Sequence, residues 1–290
     1  MSRIFNVLKS ALVSFYKDDA FILAAAISFY TILSLAPLVV LMVSAASLVS
    51  DSAQEVLVNE VRTLLGPSVS GTLQTIINNA EFRTSADSIT AIAGLIILPI
   101  AATTAFVQVQ YCLNRVWNIR VDKVGQIWGW VRKRLFSLLL VAIIGLVLSG
   151  SLAVSFVLNM VVADWEWVHS LASILVFTIL FALIFKLIPD ADISWNVVWF
   201  GAVFTATLFV LGRFGIGKYL SYSSRGSAYG AAGSLVVLLI WIYYASLIFL
   251  LGAEVTQAYA DESGRKILPS SYAAWLNPRL SHPGEGENET

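Results

Sequence analysis

The feature that most limits how this chain can fold is a set of six long, nearly uncharged apolar stretches. They run from about Phe21 to Val49, Ile89 to Tyr111, Leu135 to Val162, Val168 to Ile188, Val197 to Leu211 and Ala231 to Ala253. A helix needs roughly 20 mostly apolar residues to cross hydrocarbon, where an unpaired backbone group is costly. A membrane β-barrel would instead show strands of about ten residues that alternate in polarity. The unbroken blocks therefore predict an all-α polytopic membrane protein, a bundle of six transmembrane helices with short amphipathic surface helices. Composition agrees: of 290 residues, 58% are hydrophobic and 12% charged, and mean hydropathy is +0.80. Soluble domains average about 25% charged residues, so this chain has too little polar surface to cover a water-soluble globule.

Lys and Arg placement orients the spans, because basic residues are retained on the cytoplasmic side. An N-terminal segment, the second-to-third and fourth-to-fifth loops and the tail together hold thirteen basic residues, and the other side holds five. Both termini are thus expected in the cytoplasm. Trp128, Trp130, Trp165, Trp167, Trp195 and Trp199 cluster near span ends, as an interfacial aromatic belt does. The start has no short apolar core with a small-residue cleavage site, so no removable signal peptide is read there.

Three regions surround the spans. In residues 1–19, Ile4, Phe5, Leu8, Leu12 and Phe15 recur at helical spacing, which predicts a helix lying on the cytoplasmic membrane surface. Within the domain 20–260, the outer loop 50–87 is long for a connection. Leu57, Val61, Leu64 and Leu65 form one stripe, Val69, Leu73, Ile76 and Ile77 another, and Gly66-Pro67 divides them. Two short capping helices are expected there, serving as a lid or as a gate or docking surface. Residues 261–290, rich in Pro, Gly, Ser and Glu, read as a mobile cytoplasmic tail.

Polar side chains within a span need a reason. The first span carries Ser28, Tyr30, Thr31, Ser34 and Pro37. Pro37 deprives the Leu33 carbonyl of its N–H partner and should kink the helix; Ser34 or Thr31 is placed to satisfy it. This is either ordinary packing, eased by the small residues Ala24 and Ser28, or a polar lining beside a substrate path. Gly145, Ser149 and Ala153 make a packing seam in the third span. Gln108, Gln110, Asn114 and Arg115 near the end of the second span reach the depth of Glu254 in the sixth. An Arg115–Glu254 ion pair follows geometrically, as a structural lock or as a coupling site. Between the fifth and sixth spans, Arg213, Lys218, Tyr222, Arg225 and Tyr229 lie in a glycine-rich stretch. It is either a flexible turn or a site for an anionic ligand or lipid headgroup.

Enzyme signals are thin. The chain has two histidines and one cysteine, and no metal-binding spacing, phosphate loop or nucleophile elbow. Asp190 and Asp192 read as a polar turn after Pro189. No cofactor, metal or catalytic residue is expected, and membrane lipids rather than nucleic acid are the expected partners.

Four segments carry a family resemblance: AAAISFYTILSLAPLVVL (24–41), YCLNRVWNI (111–119), KLIPDADISWNVVWFGAVF (186–204) and YGAAGSLVVLLIWIYYASLIFLLGAEVTQA (229–258). The chain resembles the YihY/BrkB (UPF0761-like) family of bacterial inner-membrane proteins over roughly residues 10–260. The resemblance implies six helices and inward termini, with an association with serum resistance and with envelope lipid or lipopolysaccharide movement. Some members carry the label ribonuclease BN, which this sequence disfavours because it assembles no hydrolytic metal site. A transporter or lipid-handling protein with an anionic or amphiphilic substrate is the leading reading. The alternative is a non-transporting scaffold for envelope machinery.

Overall fold

The structure is a computed structural model, and it describes residues 2–47, 74, 100–101, 103–121, 166–223 and 230–276. The predicted outer helices in 50–87, the third span and its Gly145–Ser149–Ala153 seam lie outside those residues. Helix α1 (Ser2–Lys17) leads into α2 (Ala20–Ser47). Then come α3 (Thr104–Val116), strand β1 (Ile119–Val121) and α4 (Glu166–Leu187). Strand β2 (Ala191–Asp192), α5 (Trp195–Ser223) and α6 (Gly230–Glu262) follow. Strands β3 (Leu268–Pro269) and β4 (Ala273–Trp275) complete the described order.

Among the described residues, Trp195–Arg213 of α5 and Val236–Glu262 of α6 are each long and apolar enough to cross a membrane. Ile4–Lys17 and Ala20–Leu35 meet that standard as a pair bent by 69°, and Leu171–Leu187 is a shorter apolar helix. These helices are apolar on their outer faces too: Leu171, Leu175, Val203, Leu211, Val236, Leu239 and Ile240 are all exposed. A helix hydrophobic all round is at home in lipid.

Helix α5 differs from its expected extent. The fifth apolar block is bounded at about Leu211, yet the helix continues through Gly212, Gly215 and Gly217 to Ser223. A glycine inside a helix costs about 1 kcal/mol relative to alanine. Opening the turn in lipid would strand backbone groups at several kcal/mol each, so continuation is cheaper. Gly212 has a packing reason as well, because a Cβ there would overlap the Tyr244 ring.

Helices α5 and α6 interlock through a reciprocal device. A Cβ on Gly201 would strike Thr256 Oγ1, and one on Gly252 would strike Thr205 Oγ1. Each threonine donates its hydroxyl hydrogen to a carbonyl of its own helix, Thr205 to Gly201 and Thr256 to Gly252, both at 2.7 Å. The same glycine-to-threonine spacing on both helices thus admits a close crossing with no orphaned hydroxyl. On α4, Phe177, Phe181 and Phe185 repeat every fourth residue and stack along one face. Phe209 of α5 lies 4.7 Å from Phe177, and Phe249 of α6 lies 5.3 Å from Phe185, between ring centroids.

One end of the bundle is closed by short strands. β1 pairs antiparallel with β4, Ile119 opposite Trp275, and β2 pairs with β3, Asp192 opposite Leu268. Helix α6 runs to Glu262, and Gly264 with φ +68° lets the Arg265 N–H return to the Ala260 carbonyl at 2.9 Å. The segment expected to be a mobile tail from 261 onward therefore holds strand pairings through Trp275. The apolar stretch Ile267, Leu268 and Ala273 to Trp275 explains this, since it gives the segment something to pack. Exposed Trp195 and Trp199 sit 6.3 Å apart near this end, with Lys186 Nζ 6.0 Å from the Trp195 ring.

Candidate functional site

Glu254 lies on α6 near the strand-closed end, with 1% of its surface exposed. Both of its carboxyl oxygens are buried, and among the described residues no hydrogen-bond donor reaches them. The group that does approach is another acceptor, the Asp18 carboxyl. The α1–α2 corner puts it there. The Asp18 N–H donates to the Ser14 carbonyl at 2.8 Å, closing α1. Asp19 adopts φ +54°, a left-handed conformation that aspartate tolerates better than most residues. The Asp19 carbonyl then accepts from the Ile22 and Leu23 N–H groups and starts α2. Burial raises the Asp18 pKa above its ordinary value, and the neighbouring Glu254 carboxyl and the positive charges of Arg115 and Lys17 only partly offset that. Gln257, one turn beyond Glu254, buries its Oε1 without a partner as well.

A second buried acid sits at the same end in the opposite condition. Asp190, between α4 and α5, is 3% exposed. Its Oδ2 accepts from Asn114 Nδ2 at 2.7 Å and from Gln110 Nε2 at 3.0 Å. Its own N–H donates to Asn114 Oδ1 at 2.9 Å, and its carbonyl accepts from the Ser270 N–H at 3.0 Å. Gln110 and Asn114 are one turn apart on α3 and share a face. The network ties α3, the α4–α5 link and the C-terminal strands into one latch. Nearby, Lys186 donates to the Ile193 carbonyl at 2.6 Å and pairs with Asp192 at 3.4 Å.

The expected Arg115–Glu254 ion pair does not form. Arg115 is exposed on α3, its charge acts on Asp18, and the Glu254 oxygens have no donor. The two helix ends do adjoin: Trp117 Nε1 donates to the carbonyl of Ala253, beside Glu254, at 3.2 Å. A helical face rather than depth decides the partner, because Arg115 projects from the side of α3 opposite buried Cys112, Leu113, Asn114 and Val116.

In the first span, Ser28 is buried and donates to the Ala24 carbonyl at 2.7 Å. Ser34 donates to the Thr31 carbonyl at 3.0 Å, not to Leu33 as expected. Tyr30 is exposed, its ring 5.6 Å from exposed Phe29. Thr31 and Pro37 are half-buried, and α2 runs through Pro37 unbroken. Arg213 is half-buried on α5, and Lys218 and Tyr222 belong to the same helix. Arg225 and Tyr229 lie outside the described residues. The structure brings Glu254 together with Asp18, which the sequence reading did not name. The signal was available: an Asp-Asp pair opening an apolar span whose nearest lysine, Lys17, lies on the preceding helix. Among the described residues no group of three or more His, Cys, Asp or Glu could hold a metal ion.

Residues 11–274 match the protein family described as Virulence factor BrkB. Several similar curated proteins are described as UPF0761 membrane proteins. That of Psychrobacter sp. (strain PRwf-1) is 29% identical over 275 residues, covering 91% of this chain and 50% of the relative. That of Stenotrophomonas maltophilia (strain K279a) is 28% identical, covering 85% and 59%. That of Pseudoalteromonas translucida (strain TAC 125) is 27% identical, covering 85% and 83%. The chain thus spans about half the length of some curated relatives it matches. No solved structure matches it.

Proposed function

The chain belongs to the Virulence factor BrkB family of membrane proteins, and we propose that it moves or otherwise handles an anionic or amphiphilic component of the bacterial envelope. In this reading it is a six-span inner-membrane protein with both termini in the cytoplasm. Helix α1 lies at the inner surface. Its Val7, Ala11 and Phe15 are buried, with Val7 and Ala11 packed beside Val255 and Ala258 of α6, while Ile4, Phe5, Leu12, Val13 and Tyr16 stay exposed to lipid.

The observation that carries the proposal is Glu254, an ionisable side chain buried in the apolar segment Val236–Glu262 without a donor. An acidic group in a membrane helix costs about 3 kcal/mol. Among the described residues no donor reaches its carboxylate to offset this. A purely mechanical scaffold has no use for such a group, whereas pathways for ions and substrates do. On the ligand side, Arg213 and Lys218 on α5 supply positive charge and Tyr222 a phenol. Arg225 and Tyr229 follow in the sequence. This is the chemistry that recognises a phosphate or carboxylate headgroup. The reading assigns catalysis to none of these residues.

The test is the purified full chain in vesicles of phosphatidylethanolamine and phosphatidylglycerol carrying a fluorescent phosphatidylglycerol. Dithionite quenching reports transfer between leaflets. The chain should accelerate transfer over empty vesicles. Arg213→Ala should slow it about tenfold or more, as expected for a lost charge-assisted contact. Transfer equal to that of empty vesicles sinks the proposal.

A further inference from the structure

The approach of Asp18 to Glu254 poses a problem of donors. An ionised carboxylate only accepts hydrogen bonds. Both Glu254 oxygens are buried without a protein donor, and their neighbour is itself a carboxyl. Gln257 Oε1 adds a further buried acceptor without a partner one turn along α6. With Glu254 buried and the Asp18 carboxyl its neighbour, a charge on one disfavours a charge on the other. A bond between them exists only if one holds a proton.

We infer that Asp18 and Glu254 form a proton-binding site, and that this proton is the ion coupled to the movement proposed above. The inference rests on that reading for the coupling, though not for the site itself. The chemistry is a simple transfer. A proton from water forms an O–H bond to one carboxyl, the other accepts it, and release returns it to water with no redox partner.

The surrounding charges say which oxygen carries it. Lys17 and Asp19 flank Asp18 on the α1–α2 corner, and Arg115 reaches it from α3. The buried residues of α2, Leu23, Ala24 and Ile27, do not titrate, nor do Gly201 and Thr205 of α5. The two cations lie toward Asp18, so Asp18 remains the acceptor and Glu254 the acid. The corner gives the proton leverage. With it bound, the 69° bend is tied to α6. With it gone, two like charges push the corner away from α6.

Infrared difference spectra of the detergent-purified full chain test the site without any transport. A C=O stretch of a protonated carboxylic acid should be present at neutral pH and absent in Glu254→Gln. Asp18→Asn, a change at a partly exposed corner that leaves folding less at risk, should shift its frequency. No protonated-acid band in wild type overturns the site. The vesicle assay tests coupling. An imposed pH gradient should bias the fluorescent lipid's distribution by up to about tenfold per pH unit, the free energy of one proton. Glu254→Gln should lose that bias and Glu254→Asp retain part of it. A bias that persists in Glu254→Gln, or one that follows sodium instead, overturns the coupling. A band without any lipid movement leaves the proton site standing and overturns the transport reading together with the coupling.

Discussion

Asp190 and Glu254 are buried at the same end of one bundle, yet they are treated in opposite ways. Asp190 receives two side-chain donors from α3, returns its own N–H to Asn114, and offers its carbonyl to the C-terminal segment. Glu254 is buried more completely and meets only another acid. A buried charge with full hydrogen bonding holds parts together, and its removal leaves orphans behind. A buried acid without donors can join its neighbour only through a proton of its own.

The largest expected effect breaks the first half of that contrast. Asn114→Leu leaves the Asp190 N–H without its acceptor and its carboxylate without the shorter of two donors. Stability should fall by about 3 kcal/mol, the usual size for an unpartnered buried charge. Thermal unfolding in detergent, followed by tryptophan fluorescence, measures it. A loss below about 1 kcal/mol would show that the latch is not what Asp190 is for.

Glu254→Gln is the counterpart. The amide brings an N–H donor toward Asp18 where the protonated acid has its O–H, so stability should hold to within about 1 kcal/mol. A fall as large as that of Asn114→Leu would make Glu254 structural and dissolve the comparison. Acidity sharpens it further. The Asp18 pKa is raised in the folded chain, so the native state holds its proton more readily than the unfolded one. Stability should therefore rise as pH falls from the raised native value toward the ordinary aspartate range, and decline as pH climbs back. Asp18→Asn should flatten that slope in the same unfolding measurement.

How much of this was legible beforehand depends on the range of the interaction. Membrane character and α4 within two residues of its predicted ends followed from apolar run length. Local chemistry misled at the glycines of α5, because their cost was weighed without the higher cost of an open turn in lipid. The Asn114–Asp190 bond joins residues far apart in sequence, and no local pattern announces such a pairing. Shared depth and opposite charge suggest an Arg115–Glu254 pair, but Arg115 lies on the exposed side of α3. The paired glycine-to-threonine spacings at Gly201–Thr205 and Gly252–Thr256 were visible and went unused.

The smallest effect separates buried polar groups that matter from those that only look as if they should. Ser28 is 1% exposed, as hidden as Glu254, and lies in a span where a polar lining was one reading. Its hydroxyl donates to the Ala24 carbonyl, four residues back on its own helix. That carbonyl is already placed to accept the backbone N–H of Ser28 in the helical pattern, so deleting the hydroxyl orphans nothing. Ser28→Ala should change stability by at most about 0.6 kcal/mol, the average found for side-chain hydrogen bonds between membrane residues. Lipid transfer in vesicles should be unchanged. A strong transfer defect would move the working site from the α1–α2 corner into the first span. The contrast between Asp190 and Glu254 would then be a difference between two structural acids.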